Sequence, residues 1–200
     1  MHASDATLVT AYLEHGDQAA FRTLVERHQE RIHGYLLGMV REPAVADDLF
    51  QETFLRAIRA MHAQRGSYAH QGRWLQWVMR IARNAALDHL RRQKRWRTVE
   101  SADEDREPVW ERLPDTEPDA VTHIDRKQQI ELLNRCINRL PPEQREVVLL
   151  RQEAELTFRE IAELTDCSIN TALGRMRYAV NNLRKMMVVA KKNDAEYAPY

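Results

Sequence analysis

The apolar residues of this chain recur every three or four positions and almost never alternate strictly with polar ones. That spacing places apolar side chains on one face of an α-helix, whereas a half-exposed strand would show alternation. Only 6 Gly and 7 Pro interrupt the 200 residues, which leaves room for long helices. The pattern therefore predicts an all-α protein.

Four helical stretches occupy residues 1–95. The first covers residues 7–14, Asp17 is placed to cap a longer second helix, and Pro43 opens the third. The fourth begins near Trp74, after a polar loop over residues 65–73. The residues predicted to face inward include Phe21, Leu24, Ile32, Tyr35, Leu36, Met39, Ala46, Leu49, Phe54, Val78 and Ala82.

A second helical unit is predicted over residues 122–192. An amphipathic helix over 125–140, with Ile130 inward, ends at two prolines, and a short helix over 143–153 follows. Thr157 and Glu160 have the spacing of a capping box, and a short turn leads to another helix that starts at Ser168 or Ile169. This arrangement is typical of a helix-turn-helix, in which Ile169, Ala172 and Met176 are expected to pack inward.

The 30 basic and 30 acidic residues cancel overall but are segregated along the chain. Residues 71–97 carry eight basic residues and one acid, residues 100–119 carry nine acids and two basic residues, and residues 168–192 carry six basic residues and no acid. The acidic stretch contains three prolines and lacks periodicity, which is typical of a linker. We therefore predict two small helical domains, 1–95 and 122–192, joined by a flexible acidic linker over 96–121, with a tail at 193–200.

Two basic helices suggest two contacts with one polyanion, although a charged helix face is often merely solvated. Trp and Arg on a helix that follows a loop suit melted DNA, because indoles stack on unpaired bases and guanidinium groups hold phosphates. Trp77 fits the core better than a stacking role. The second helix of a helix-turn-helix places its first residues in the major groove of duplex DNA.

Several function classes have no support in the sequence. No stretch is long and apolar enough for a membrane span, and the acidic start does not resemble a signal peptide, so a cytoplasmic location is expected. Cys136 and Cys167 belong to no metal-binding pattern. Because phosphate-binding loops, HExxH and a nucleophile elbow are missing, we expect no enzyme, metal or cofactor.

Three stretches resemble bacterial sigma factors of the extracytoplasmic-function (ECF) type, the short sigma-70 relatives that keep only regions 2 and 4. Residues 46–57 are similar to region 2.2, residues 77–92 to regions 2.3 and 2.4, and residues 140–147 with the helix-turn-helix to region 4. The resemblance implies promoter-specific initiation with core RNA polymerase, binding of promoter DNA, and an anti-sigma factor as a further partner.

The resemblance also assigns residues to three surfaces. The core polymerase surface comprises Asp47, Asp48, Leu49, Gln51, Glu52, Leu55 and Arg56. The minus-ten element would be melted and read by Trp74, Arg80, Arg83, Asn84, Asp88, Arg91, Arg92, Lys94 and Arg95. The minus-thirty-five element would be read as duplex by Ser168, Asn170, Thr171, Gly174, Arg175 and Arg177.

Linker length is compatible with that assignment. Promoter elements about 25 base pairs apart are separated by roughly 85 Å at about 3.4 Å per pair, and residues 96–122 can extend to about 90 Å.

The recognition helix departs from the family pattern, since many relatives have Lys and Ser at the positions of Leu173 and Gly174. A free-standing helix-turn-helix regulator is the competing reading, but it would need neither the region 2.2 face nor the Trp/Arg segment.

Overall fold

The structure is a computed structural model that describes residues 3–63, 73–100 and 126–196. Within these residues all regular structure is helical, which confirms the predicted fold class. Residues 64–72, which include most of the predicted loop, and residues 101–125, which include most of the predicted acidic linker, lie outside this range. The helices are α1 Asp5–His15, α2 Gln18–Val40, α3 Pro43–Ala63, α4 Trp74–Glu100, α5 Arg126–Arg139, α6 Pro142–Gln152, α7 Phe158–Thr165 and α8 Ile169–Glu196.

The helix starts follow the local signals of the sequence. The Asp17 carboxylate accepts hydrogen bonds from the backbone N–H groups of Ala19 and Ala20, at 2.9 and 3.1 Å, and so caps α2. Thr157 and Glu160 form the predicted capping box at the start of α7. Helix α4 continues to Glu100, five residues beyond the predicted domain boundary at 95, because nothing in that stretch breaks a helix.

Helices α1–α4 form the N-terminal unit, which has a core rich in aromatic side chains. The Tyr12 and Phe21 ring centroids lie 4.8 Å apart, and Phe54 lies 6.5 Å from Phe21 and 6.3 Å from Trp74. The Trp74 indole is only 1% exposed. The expectation that Trp74 stacks on an unpaired DNA base is therefore wrong for this structure, because the periodicity that starts α4 also turns the indole into the core.

Helices α5–α8 form the C-terminal unit, in which α7 and α8 make the predicted helix-turn-helix. Asp166 joins them in the left-handed conformation, with φ at 54°. A small core lies between α5, α6 and α8 and contains Leu132, Cys136, Leu140, Val148, Ala179 and Met186. Two inward predictions are wrong: Ile130 is 52% exposed and Ile169 is 43% exposed, since each lies near the start of its helix, where the neighbouring helix does not cover it.

The two units pack directly against each other, which nothing in the sequence pattern indicated. Leu149, Leu150 and Ile161 of α6 and α7 belong to the same hydrophobic cluster as the core of α1–α4. Helix α6 lies so close to α2 that a Cβ atom on Gly38 would meet Leu149 Cδ2 at 2.4 Å. The domains predicted as separate bodies on a linker therefore share one continuous core in this structure.

Candidate polymerase and nucleic-acid surfaces

The outward face of α3 carries the residues predicted to bind core polymerase. Asp47 is exposed and lies 2.8 Å from His33 Nε2 of α2, and Arg56 donates to Glu52 at 2.6 Å. Leu55 is 54% exposed, so an apolar side chain is accessible on this charged face. Asp48, Gln51 and Arg56 are likewise exposed, and Glu52 is half-buried.

Leu49 does not share this face. Its side chain is only 4% exposed and belongs to the core of the N-terminal unit. The expectation that Leu49 contacts polymerase is therefore wrong in this structure, because position 49 lies on the inner side of α3 together with Ala46 and Thr53.

A groove between α3 and α4 joins the acidic and basic surfaces. Asp48 and Glu52 line it on the α3 side, and His89 and Arg92 line it on the α4 side. A partner that lies on α3 would therefore also come close to the basic part of α4.

The exposed side of α4 is basic. Arg80, Asn84, Asp88, Arg91, Arg92, Lys94 and Arg95 all have exposed side chains. Asp88 lies 3.5 Å from Arg91, with both groups more than half exposed, an arrangement that contributes little to stability. The exposure of these cations leaves them accessible to phosphate oxygens.

Arg83 differs from its neighbours on α4 because it is bound inside the protein. Its guanidinium donates through Nε to Glu146 Oε1 at 2.8 Å and through one terminal nitrogen to Oε2 at 3.3 Å. Only 7% of the Glu146 side chain is exposed. The expectation that Arg83 faces DNA is wrong for this structure, since the residue that it pairs with comes from α6, 63 positions later in the chain.

Tyr35 completes the surroundings of Glu146. Its hydroxyl donates to Glu146 Oε1 at 3.4 Å. Burial of the ring, followed by the charge of the Glu146 carboxylate, raises the pKa of Tyr35 well above its ordinary value, so the phenol remains a hydrogen-bond donor. Glu146 thereby has two partners from the N-terminal unit.

Further polar contacts join the same two units. Arg73 donates to Glu163 at 3.1 Å, Gln76 donates to Glu160, and Arg31 donates to Glu155. We call this set, together with Arg83 and Glu146, the inter-unit clamp. In every pair, the C-terminal unit provides the carboxylate and the N-terminal unit provides the donor.

The recognition helix α8 presents an open N-terminal half. Ser168, Asn170, Thr171 and Arg177 are exposed, whereas Gly174 and Arg175 are half-buried. The Ser168 hydroxyl accepts from the Thr171 backbone N–H at 3.0 Å, so this predicted contact residue also caps the helix. Leu173 is 43% exposed. The sequence predicted only the loss of a Lys at this position, whereas the structure shows an exposed apolar side chain.

Neither a metal centre nor a membrane span emerges from the described part of the chain. Residues 3–63, 73–100 and 126–196 contain no group of three His, Cys, Asp or Glu side chains that could hold a metal ion. None of the helices described is long and apolar enough to cross a membrane.

Comparison with known proteins identifies the family. Sigma-70 region 2 matches residues 24–97, and Sigma-70, region 4 matches residues 130–176. RNA polymerase sigma factor CarQ of Myxococcus xanthus is 35% identical over 86% of this chain and 91% of its own length. ECF RNA polymerase sigma factor RpoE of Cereibacter sphaeroides is 30% identical over 90% of this chain and 93% of its own length.

Two solved structures have a similar fold. The sigma factor RpoE in complex with the anti-sigma factor NepR from Bartonella quintana superimposes with a TM-score of 0.63 at 18% identity, over 84% of this chain and 96% of that one. CnrH in complex with the cytosolic domain of CnrY superimposes with a TM-score of 0.63 at 20% identity, over 92% of this chain and 97% of that one. The chain belongs to the ECF group of the sigma-70 family. It is accordingly a non-enzymatic factor that gives core RNA polymerase its promoter specificity.

Proposed function

We propose that the two units divide the work of initiation, with residues 1–95 acting as region 2 and residues 122–192 as region 4. The observation that carries this proposal is that the basic face of α4 and the N-terminal half of α8 are separate and exposed. One is a long cationic helix, suited to a single strand. The other is the second helix of a helix-turn-helix, suited to duplex DNA.

Core polymerase would bind the α3 face. The side chains proposed for this contact are the exposed or half-buried ones, Asp47, Asp48, Gln51, Glu52, Leu55 and Arg56. Exposed Leu55 among charged groups has the composition of an interface, in which an apolar centre is bordered by polar residues.

The minus-ten element would bind α4 through Arg80, Asn84, Asp88, Arg91, Arg92, Lys94 and Arg95. The minus-thirty-five element would bind Ser168, Asn170, Thr171, Gly174, Arg175 and Arg177. Leu173 would add an apolar contact in place of the Lys found in many relatives, so we expect it to favour a thymine methyl group.

An anti-sigma factor is a further proposed partner, and the cytoplasm is the proposed location. Two proteins of similar fold are sigma factors solved in complex with anti-sigma factors, NepR in one case and the cytosolic domain of CnrY in the other.

The test is transcription by purified core polymerase on host genomic DNA, with and without this protein. Discrete new start sites would support the proposal, and their upstream sequences would define both promoter elements. DNA binding without initiation would instead favour the free-standing regulator. The variant Asp48→Arg should lower core affinity, whereas Glu30→Arg, a matched charge reversal at an exposed position of α2, should not.

A further inference from the structure

We propose that Ile169 and Leu173 form an apolar ridge on the recognition helix that binds the C5-methyl groups of thymines in the minus-thirty-five duplex, and that Gly174 lets the helix come close to these bases. This inference rests on the proposed role of α8 in minus-thirty-five binding. It deepens that role by naming the chemical group that is read, and it adds Ile169, which the family resemblance did not assign.

Both side chains of the ridge are exposed although they are large and apolar. Ile169 and Leu173 are each 43% exposed, and neither belongs to a hydrophobic cluster of the described residues. Tyr178, a further exposed apolar residue of α8, differs because the Arg177 guanidinium lies over its ring, 5.3 Å from the centroid. The ridge therefore leaves an apolar surface open to an external ligand, whereas the Tyr178 ring has a neighbour within α8.

The spacing of the two residues suits a duplex. Ile169 and Leu173 are four positions apart, so they lie side by side on one face of α8. Their separation along the helix axis is about 6 Å at about 1.5 Å per residue. This length corresponds to about one or two steps of duplex DNA at about 3.4 Å each, so the ridge can reach methyl groups on nearby base pairs.

The hydroxyl groups beside the ridge are engaged in capping the helix. Ser168 accepts a hydrogen bond from the Thr171 backbone N–H at 3.0 Å, and the two hydroxyl oxygens lie 2.8 Å apart. Gly174 has no side chain that could read a base. Apolar contact therefore makes up a large part of the surface that the first two turns of α8 offer to base edges.

The surroundings of the ridge indicate that its ligand is DNA rather than an apolar protein surface. Residues 168–192 contain six basic residues and no acid, and exposed Arg177 follows the ridge one turn later. In the major groove, thymine presents a C5-methyl group, which is read by apolar contact. An apolar ridge within a phosphate-binding surface therefore fits a thymine methyl group.

Gly174 independently supports a close approach of DNA. It lies inside α8 without a positive φ, and a Cβ atom there would meet nothing within 4 Å. Alanine would therefore fit the fold and would also favour the helix, since glycine destabilises a helix interior. Gly174 shares a strip of α8 with exposed Asn170 and Arg177. Close contact with DNA at this strip explains the missing side chain, whereas packing and helix propensity do not.

Replacement of thymine by uracil tests the ridge directly, because uracil lacks only the C5-methyl group and still pairs with adenine. The thymines of a minus-thirty-five element, in a promoter that the transcription assay identifies, are replaced one at a time. The affinity of each duplex is measured for the holoenzyme, formed from core polymerase and the full chain. The variants are Leu173→Ala and Ile169→Ala, and Ile130→Ala is the matched control because Ile130 is a 52% exposed apolar residue of α5.

We expect uracil at one or more positions to weaken binding about fourfold each, as the loss of one buried methyl contact does. At such a position, Leu173→Ala or Ile169→Ala should bind thymine and uracil duplexes equally, whereas Ile130→Ala should distinguish them as the unchanged protein does. Unchanged affinity for every uracil duplex, or full discrimination by both ridge variants, would overturn the proposal. If the holoenzyme starts transcription without binding the minus-thirty-five duplex, the proposed role of α8 is contradicted instead.

A second pair of variants separates DNA contact from helix stability. Gly174→Ala should raise the urea midpoint of unfolding, because alanine favours a helix, and should nevertheless lose affinity for the minus-thirty-five duplex. Asn181→Ala, at an exposed position about two turns further along α8, should also favour the helix but keep its affinity. If Gly174→Ala binds the duplex as tightly as the unchanged protein, the close approach at Gly174 is wrong.

Discussion

The two units of this sigma factor differ in how much of their core each one builds for itself. The N-terminal unit provides most of the residues of the large shared cluster, including Trp74, Leu24, Ile32 and Leu36. The C-terminal unit has a separate core of six buried residues, while several apolar side chains of α6 and α7 are buried in the cluster shared with the N-terminal unit. The N-terminal unit thus supplies most of the shared core, whereas the C-terminal unit divides its buried apolar residues between that core and a small one of its own.

The difference predicts which unit depends more on the contact between them. Separation of the units would expose Leu149, Leu150 and Ile161 of the shared cluster, whereas Trp74 and Phe54 would stay covered by α1–α4. The C-terminal unit is therefore the one whose stability should depend more on its contact with the other unit.

The largest expected effect is on the N-terminal scaffold. Trp74→Ala removes an indole that is 1% exposed and should lower the free energy of unfolding by about 3–5 kcal/mol, measured by urea denaturation. Trp74→Phe should cost much less, because it keeps a ring and removes a buried Nε1–H that has no acceptor among the described residues. If both variants lowered the free energy of unfolding by the same small amount, buried Trp74 would not be a main source of stability in the N-terminal unit.

A smaller effect is expected at the clamp. A double-mutant cycle with Arg83→Gln and Glu146→Gln should give a coupling energy of about 1–3 kcal/mol in the free protein, because only 19% and 7% of the two side chains are exposed. The same cycle on Arg73 and Glu163, which are 60% and 50% exposed, should give less than about 1 kcal/mol. Equal values would mean that burial does not distinguish the two pairs.

The C-terminal unit offers a separate measurement on duplex DNA. Arg177→Ala should weaken binding of the minus-thirty-five duplex by about 1–3 kcal/mol if the side chain reads a base. The affinity is measured at one fixed salt concentration. The control is Arg184→Ala, which removes an exposed arginine two turns further along α8 and should leave duplex affinity unchanged. If both variants bind like the unchanged protein, the assigned face of α8 is wrong.

The smallest effect concerns pH and the N-terminal unit. Burial lowers the pKa of His28 below its ordinary value of 6.5, although Asp5 opposes this shift. The unfolded chain then binds a proton more readily, so stability should fall as the pH decreases through 6.5 toward the lower folded pKa. His28→Gln should reduce this slope in denaturation between pH 5 and pH 7, and an unchanged slope would exclude His28 as its source.

Helix positions and caps were determined by local sequence. Asp17, Pro43, Thr157 with Glu160, and the paired prolines at 141–142 act on backbone groups within one turn, so their effect can be seen without knowledge of the fold. Periodicity likewise predicted most of the inward residues. It failed for Ile130 and Ile169, because spacing alone cannot show where a neighbouring helix ends.

The candidate surfaces were predicted only in part. Charge and spacing identified the basic face of α4 and the recognition helix, and resemblance identified the α3 face. Trp74 and Leu49 were misassigned because a motif gives the type of residue but not the side of the helix that packing covers. Leu173 was missed as a contact because its exposure is decided by neighbouring helices.

What the sequence determined by itself, therefore, was an all-α chain with two basic helical units and the motifs of a sigma factor. Only the tertiary structure decided that Arg83 meets Glu146 and that α6 lies against Gly38. The physical reason is range: caps and periodicity act over one to a few turns, whereas these contacts join residues 63 or more positions apart. Such contacts depend on how whole surfaces fit together, which no local pattern encodes.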